Sequence, residues 1–88
     1  MVTREVTIVN QLGLHARAAA RFVRLASQYA ATVRVARGAR ELDGKSILGL
    51  LLLGAARGST VIIRAEGSDA EQAVDALALL VAEGFGES

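Results

Sequence analysis

The chain's only histidine, His15, stands in the run Gly13-Leu14-His15-Ala16-Arg17. A turn glycine precedes it, and a helix-forming stretch, Ala16 to Tyr29, follows at once. This places the imidazole at a helix N-terminus, where backbone N–H groups without intrahelical partners favour an anion. Arg17 adds a planar fork of donors suited to phosphate. A titratable nucleophile, an anion-stabilising helix end and a guanidinium therefore converge on one short segment, and the chemistry they suit is phosphoryl transfer to His15.

A helix N-terminus stabilises a nearby negative charge by about 0.3–1 kcal/mol, and by about 2 kcal/mol when partly buried. The same field disfavours imidazolium, so His15 is expected to stay neutral and nucleophilic near neutrality, and Arg17 pushes the same way. A lone histidine at a helix start is more often structural than reactive. Here nothing else in the sequence competes for the chemistry. There is no second histidine, no cysteine and no cluster spaced to hold a metal. No cofactor or metal is expected.

The elements that must position His15 follow from periodicity. Thr3 to Val9 alternates as a strand, with Val2, Val6 and Ile8 on one face together with Arg4. Asn10 to Gly13 reads as a turn. In the helix from Ala16 to Tyr29, Ala19, Phe22, Val23 and Ala26 make the apolar stripe, and Arg17, Arg21 and Arg24 make a basic stripe on the other side. Thr32 to Ala36 is a second strand, Arg37-Gly38 the centre of a hairpin, and Ala39 to Leu42 a third strand. Asp43-Gly44 turns the chain. Ser46 then caps a short helix from Ile47 to Leu53, which Gly54 and Gly58 break off. Thr60 to Glu66 is a fourth strand. Ser68 and Glu71 have the spacing of a capping box for a last helix, Asp69 to Glu83, ended by Gly84.

The order β-α-β-β-α-β-α implies an α+β open-faced sandwich. A four-stranded, largely antiparallel sheet would carry three helices on one face. The 88 residues suffice for one domain, expected to span 1–88. With 52% hydrophobic residues the chain is not a disordered one. Much of that fraction is alanine, which lets helices pack closely. Absence of cysteine excludes disulfides, thiolate zinc sites and thiol catalysis, and it fits a reducing cytoplasm. The start Met1 to Glu5 lacks the apolar stretch of a signal peptide. The longest apolar run, Ile47 to Ala56, falls short of the roughly 20 residues a bilayer span needs. A net charge of +1 is not that of a dedicated nucleic-acid binder.

Two further features suit partners. Ser46 is at minimum an N-cap, worth about 1 kcal/mol. In the helix it caps, Leu50 and Leu53 share one arc, while Ile47, Leu48 and Leu51 fill another. A short helix on a single sheet cannot bury both arcs. The second is either covered by the loop before Thr60 or left as an apolar docking patch. With the arginine stripe beside it, such a patch would suit an acidic protein surface with an apolar centre.

The segment Gly13-Leu14-His15-Ala16-Arg17-Ala18-Ala19 resembles the active-site motif of the HPr family, the histidine phosphocarriers of the phosphoenolpyruvate-dependent sugar phosphotransferase system. Gly44-Lys45-Ser46-Ile47-Leu48-Gly49-Leu50-Leu51 resembles the family's second motif, and Glu83-Gly84-Phe85-Gly86-Glu87 matches its close. The resemblance covers the whole chain. It implies that His15 accepts a phosphoryl group from phosphorylated Enzyme I and passes it to an EIIA protein or domain. It also implies that Arg17 contacts the phosphate, and that Arg21, Arg24, Ile47, Leu48 and Leu51 help dock partners. Either ring nitrogen could react; only the resemblance selects Nδ1. In many relatives a dedicated kinase, HPr kinase/phosphorylase, modifies the serine matching Ser46, and a transcriptional regulator is then a further partner. The implied carrier is cytoplasmic, does not insert in membranes, and is favoured as a monomer because its site must stay open. One departure stands out: the family usually has proline where this chain has Ala18. That substitution adds a backbone N–H to the helix end and loosens the first turn.

A carrier is not a self-sufficient enzyme, because one histidine without base, metal or nucleotide loop cannot activate a phosphodonor. A second reading is a regulatory adaptor, or a carrier of a nitrogen-type phosphotransfer branch, acting on transcriptional or metabolic partners. A third, a nucleic-acid module with a basic helix, lacks a stacking platform, since Phe22, Tyr29 and Phe85 are the only aromatics.

Overall fold

A computed structural model describes residues 1–87. Alternation of apolar and polar residues produces four strands: β1 (Val2–Thr7), β2 (Thr32–Arg37), β3 (Arg40–Asp43) and β4 (Thr60–Glu66). Apolar stripes at helical spacing produce α1 (Ala16–Ala26), α2 (Ile47–Leu53) and α3 (Ala70–Ala82), and a short 3₁₀ turn follows at Gly84–Gly86. The sheet order is β1-β4-β2-β3, and every neighbouring pair is antiparallel. The open-faced sandwich expected from the sequence is therefore the fold.

One face of the sheet builds the core. Val33, Val35, Val61, Ile63 and Ala65 meet Phe22 of α1, Leu50 and Leu53 of α2, and Val74, Leu77 and Val81 of α3. Ala18, Ala19 and Ala26 are fully buried, which lets α1 lie close to its neighbours. On the helix side Arg4 reaches Asp75 of α3 at 2.5 Å, an exposed pair worth little. The other face carries Arg34 and Arg64 directly opposite each other, with Glu41 between them as the shared anion.

Several boundaries differ from the sequence reading. The first helix stops at Ala26 rather than Tyr29. The N–H groups of Gln28 and Tyr29 bond back to the carbonyls three residues earlier, so the last turn tightens and leaves the helix. The β2–β3 hairpin centres on Gly38-Ala39, because Arg37 and Arg40 pair across it. No capping box forms at α3. Asp69 is its N-cap, without a side-chain bond to the helix. Its carboxylate instead accepts from the Ala30 and Ala31 N–H groups, both at 2.8 Å. It thus ties the start of α3 to the chain entering β2. The Ala30 N–H is the main cause holding its pKa below the usual 3.8.

Candidate functional site

The turn into α1 is fixed by Gly13. Its φ is +65°, and a Cβ there would lie 2.7 Å from the Ala55 carbonyl, so only glycine fits. The Gly13 N–H bonds the Asn10 carbonyl, and the Leu14 N–H bonds Ala55 at 2.9 Å. Both ends of the turn are therefore anchored before the chain reaches His15.

His15 is the N-cap residue of α1, with extended backbone. Its Nδ1 accepts from the Arg17 N–H at 3.3 Å, a long cap bond. Nε2 faces the carboxylate of Glu87, seventy-two residues away in sequence. A ring nitrogen that accepts carries no proton, so the proton sits on Nε2 and is donated to Glu87. Nδ1 is left with its lone pair turned towards the helix N-terminus.

Glu87 arrives there because the chain folds back after α3. Gly84, Phe85 and Gly86 all have positive φ, 63°, 58° and 76°. For Phe85 this is a strained conformation, held by burial of its ring. The Arg21 guanidinium donates to the Phe85 carbonyl and adds a second restraint. Asn10 completes the arrangement. Its Nδ2 donates to the Gly13 carbonyl at 2.7 Å and to Glu87 Oε1 at 2.8 Å. Two acceptors at one end fix the amide orientation. Among the described residues its buried Oδ1 has no partner, which costs about 1–3 kcal/mol. The Asn10 amide is the main cause lowering the Glu87 pKa below the usual 4.5, with His15 and Arg21 adding to it.

An open cleft of about 860 Å³ lies over this site, lined by Leu12, His15, Arg17, Arg21 and Glu87 among others. The Arg17 side chain is exposed there, and among the described residues its guanidinium has no partner. Arg24 is exposed further along α1. The residues read from the sequence as one stripe therefore differ in state: Arg17 and Arg24 extend outward, while Arg21 is half-buried and engaged. Ala18 is fully buried in the first turn of α1.

Asn10 was read from the sequence only as part of a turn and Glu87 only as part of the closing segment, neither as a partner of His15. The only local hint was the pair of glycines flanking Phe85, which marks a chain reversal but not its target.

Ser46 caps α2 as expected, its hydroxyl accepting from the Gly49 N–H at 3.0 Å. Leu50 and Leu53 are fully buried, whereas Ile47, Leu48 and Leu51 are exposed. The loop before Thr60 does not cover them. Leu52 and Leu12 are exposed as well, at 55% and 70%. Among the described residues no group of histidines and carboxylates suits a metal ion. Among the described residues no helix is long and apolar enough to cross a membrane.

Residues 2–83 match the family described as the PTS HPr component phosphorylation site. The chain belongs to the HPr family. It is 46% identical over 87 residues to the phosphocarrier protein HPr of Cupriavidus necator, covering 99% of this chain and 98% of that one. A phosphocarrier protein NPr from Shewanella violacea is 42% identical, covering 97% and 93% of the two chains. The crystal structure of HPr-C-His from Thermoanaerobacter tengcongensis superposes with a TM-score of 0.96 at 40% identity, over 100% of this chain and 99% of that one. Membership of the HPr family makes this chain a phosphocarrier of the phosphotransferase system. Glu87 lies beyond the stretch matched by the family.

Proposed function

We propose that this HPr-family protein accepts a phosphoryl group on His15 Nδ1 from phosphorylated Enzyme I and delivers it to an EIIA protein or domain. The observation that carries the reading is the state of the ring. Nε2 is occupied by Glu87, and Nδ1 presents its lone pair at the helix N-terminus. The N–H groups there can receive phosphoryl oxygens, and the Arg17 fork can swing over them. The protein acts as a stoichiometric carrier in the cytoplasm, as a monomer with an unobstructed cleft, and its partners supply the remaining electrostatics of in-line transfer. Docking uses Arg21 and Arg24 with the exposed Ile47, Leu48 and Leu51. Incubation with phosphoenolpyruvate and Enzyme I should give an adduct that is lost in acid and stable near neutrality. An acid-stable adduct would place the phosphate on a hydroxyl and overturn the assignment.

Ser46 is the proposed regulatory position. It borders the exposed arc of α2, so a phosphate there would set negative charge beside the docking surface and repel acidic partners. Phosphorylation by an HPr kinase/phosphorylase followed by loss of transfer to EIIA is the expected signature, and binding of the modified form to a transcriptional regulator would extend it.

The similarity to an NPr protein favours one alternative, a nitrogen-branch carrier or regulatory adaptor. Comparing transfer rates to sugar-specific and nitrogen-branch EIIA proteins separates the two, because only the cognate acceptor should be phosphorylated rapidly.

A further inference from the structure

The Asn10–Glu87–His15 chain of contacts does more than hold the C-terminal turn in place. We propose that Glu87 is a positioning residue that keeps the His15 proton on Nε2 both before and after phosphorylation. The inference rests on the phosphocarrier reading above for its consequence, whereas the ring signals that test it do not.

Three observations carry it. Glu87 lies against Nε2 and can only accept there when ionised. Asn10 holds the other carboxylate oxygen at 2.8 Å and is itself locked by the Gly13 carbonyl, so Glu87 cannot rotate away without losing a partner. Nδ1 faces the Arg17 N–H, a donor, so a proton on Nδ1 would point at another donor. The charged groups facing the ring across the cleft are Arg17 and Arg21 from α1 and Glu87 from the C-terminal turn. Among the described residues Glu87 is the only anion there.

The consequence for transfer is a step without proton movement. The Nδ1 lone pair forms the N–P bond as the phosphodonor's bond to phosphorus breaks, and that electron pair stays with the donor. The Nε2 proton remains in place, and the positive charge acquired by the ring lies against the Glu87 carboxylate. On delivery the P–N electron pair returns to Nδ1 and restores the neutral ring with its Nε2 proton. Because the leaving group is a neutral imidazole, the phosphoryl group stays readily transferable in both directions.

The test is ring ¹⁵N NMR of the full-length, unphosphorylated protein, comparing the native chain with Glu87→Gln and Glu87→Ala. In the Gln variant the fixed Asn10 Nδ2 attracts the new carbonyl, which turns the amide NH₂ towards Nε2. The Nδ1-protonated tautomer should then rise, and phosphoryl acceptance should fall by at least about tenfold, since the wrong tautomer blocks the nucleophile. The Ala variant should give a mixed tautomer and a smaller loss. A purely structural role would change melting temperature and leave the ring signals alone. Identical ring signals in all three folded proteins would overturn the proposal. Altered signals in a protein that takes no phosphate on His15 would instead uphold the positioning and reject the carrier reading.

Discussion

Arg21 and Phe85 form the link that brings the C-terminal turn to His15. The guanidinium on α1 donates to the carbonyl of a residue held at φ 58°, and Glu87 follows two positions later. The basic stripe of α1 is therefore partly a brace. A left-handed conformation costs a non-glycine residue about 1–2 kcal/mol, and a hydrogen bond to a charged donor contributes about 1.5–3 kcal/mol. Arg21→Ala should lower unfolding free energy by about 1–2 kcal/mol and slow phosphoryl acceptance. A denaturant titration with an unchanged midpoint would show that the turn holds itself.

Ala18 sits where relatives usually have proline, in the first turn of α1 and fully buried. Among the described residues no acceptor bonds its N–H, so a proline there breaks no helix bond. Ala18→Pro should change the phosphotransfer rate by less than about tenfold. A hundred-fold change in either direction would mean that this N–H, or the freedom of the turn, matters to the chemistry.

Leu48 is 67% exposed on the arc of α2 that nothing covers. Leu48→Asp should leave stability within about 0.5 kcal/mol, as for most surface changes. If this arc docks partners, the apparent KM for phosphorylated Enzyme I should rise at least about tenfold, with kcat nearly unchanged. An unaltered KM would remove Leu48 from the docking surface.

Asp69 fastens α3 to the entry of β2, and its pKa is lowered chiefly by the Ala30 N–H. A lowered native pKa means stability that is present above the unfolded value of 3.8 and lost as pH falls through the native one. Asp69→Asn should therefore melt at lower temperature than the native chain at neutral pH. The gap should narrow as pH drops below the usual carboxylate value. A gap that is the same at both extremes would assign the effect to shape rather than charge.

Local signals were enough for most of the fold. Ser46, three residues before the N–H it caps, and the alternating Val61, Ile63 and Ala65 each declared their element within a few positions. His15 and Arg17 were legible for the same reason, since a helix start and its neighbours are adjacent in the chain. Two misreadings have a physical origin. Ser68 and Glu71 have capping-box spacing, but Asp69 found better donors at Ala30 and Ala31, and tertiary contact displaced the local motif. The contact of Glu87 with His15 was invisible because the two lie seventy-two residues apart and the turn that joins them depends on a strained phenylalanine.

The central claim is that the phosphoryl group travels on one nitrogen of one residue. The most direct measurement is phosphorylation by phosphoenolpyruvate and Enzyme I, with the native chain and His15→Ala compared by intact mass and ³¹P NMR. The native protein should gain one phosphoryl group with the signal of an Nδ1-phosphohistidine, and the variant should gain none. A variant that still takes up phosphate, or a native signal from a phosphoserine, would contradict the account.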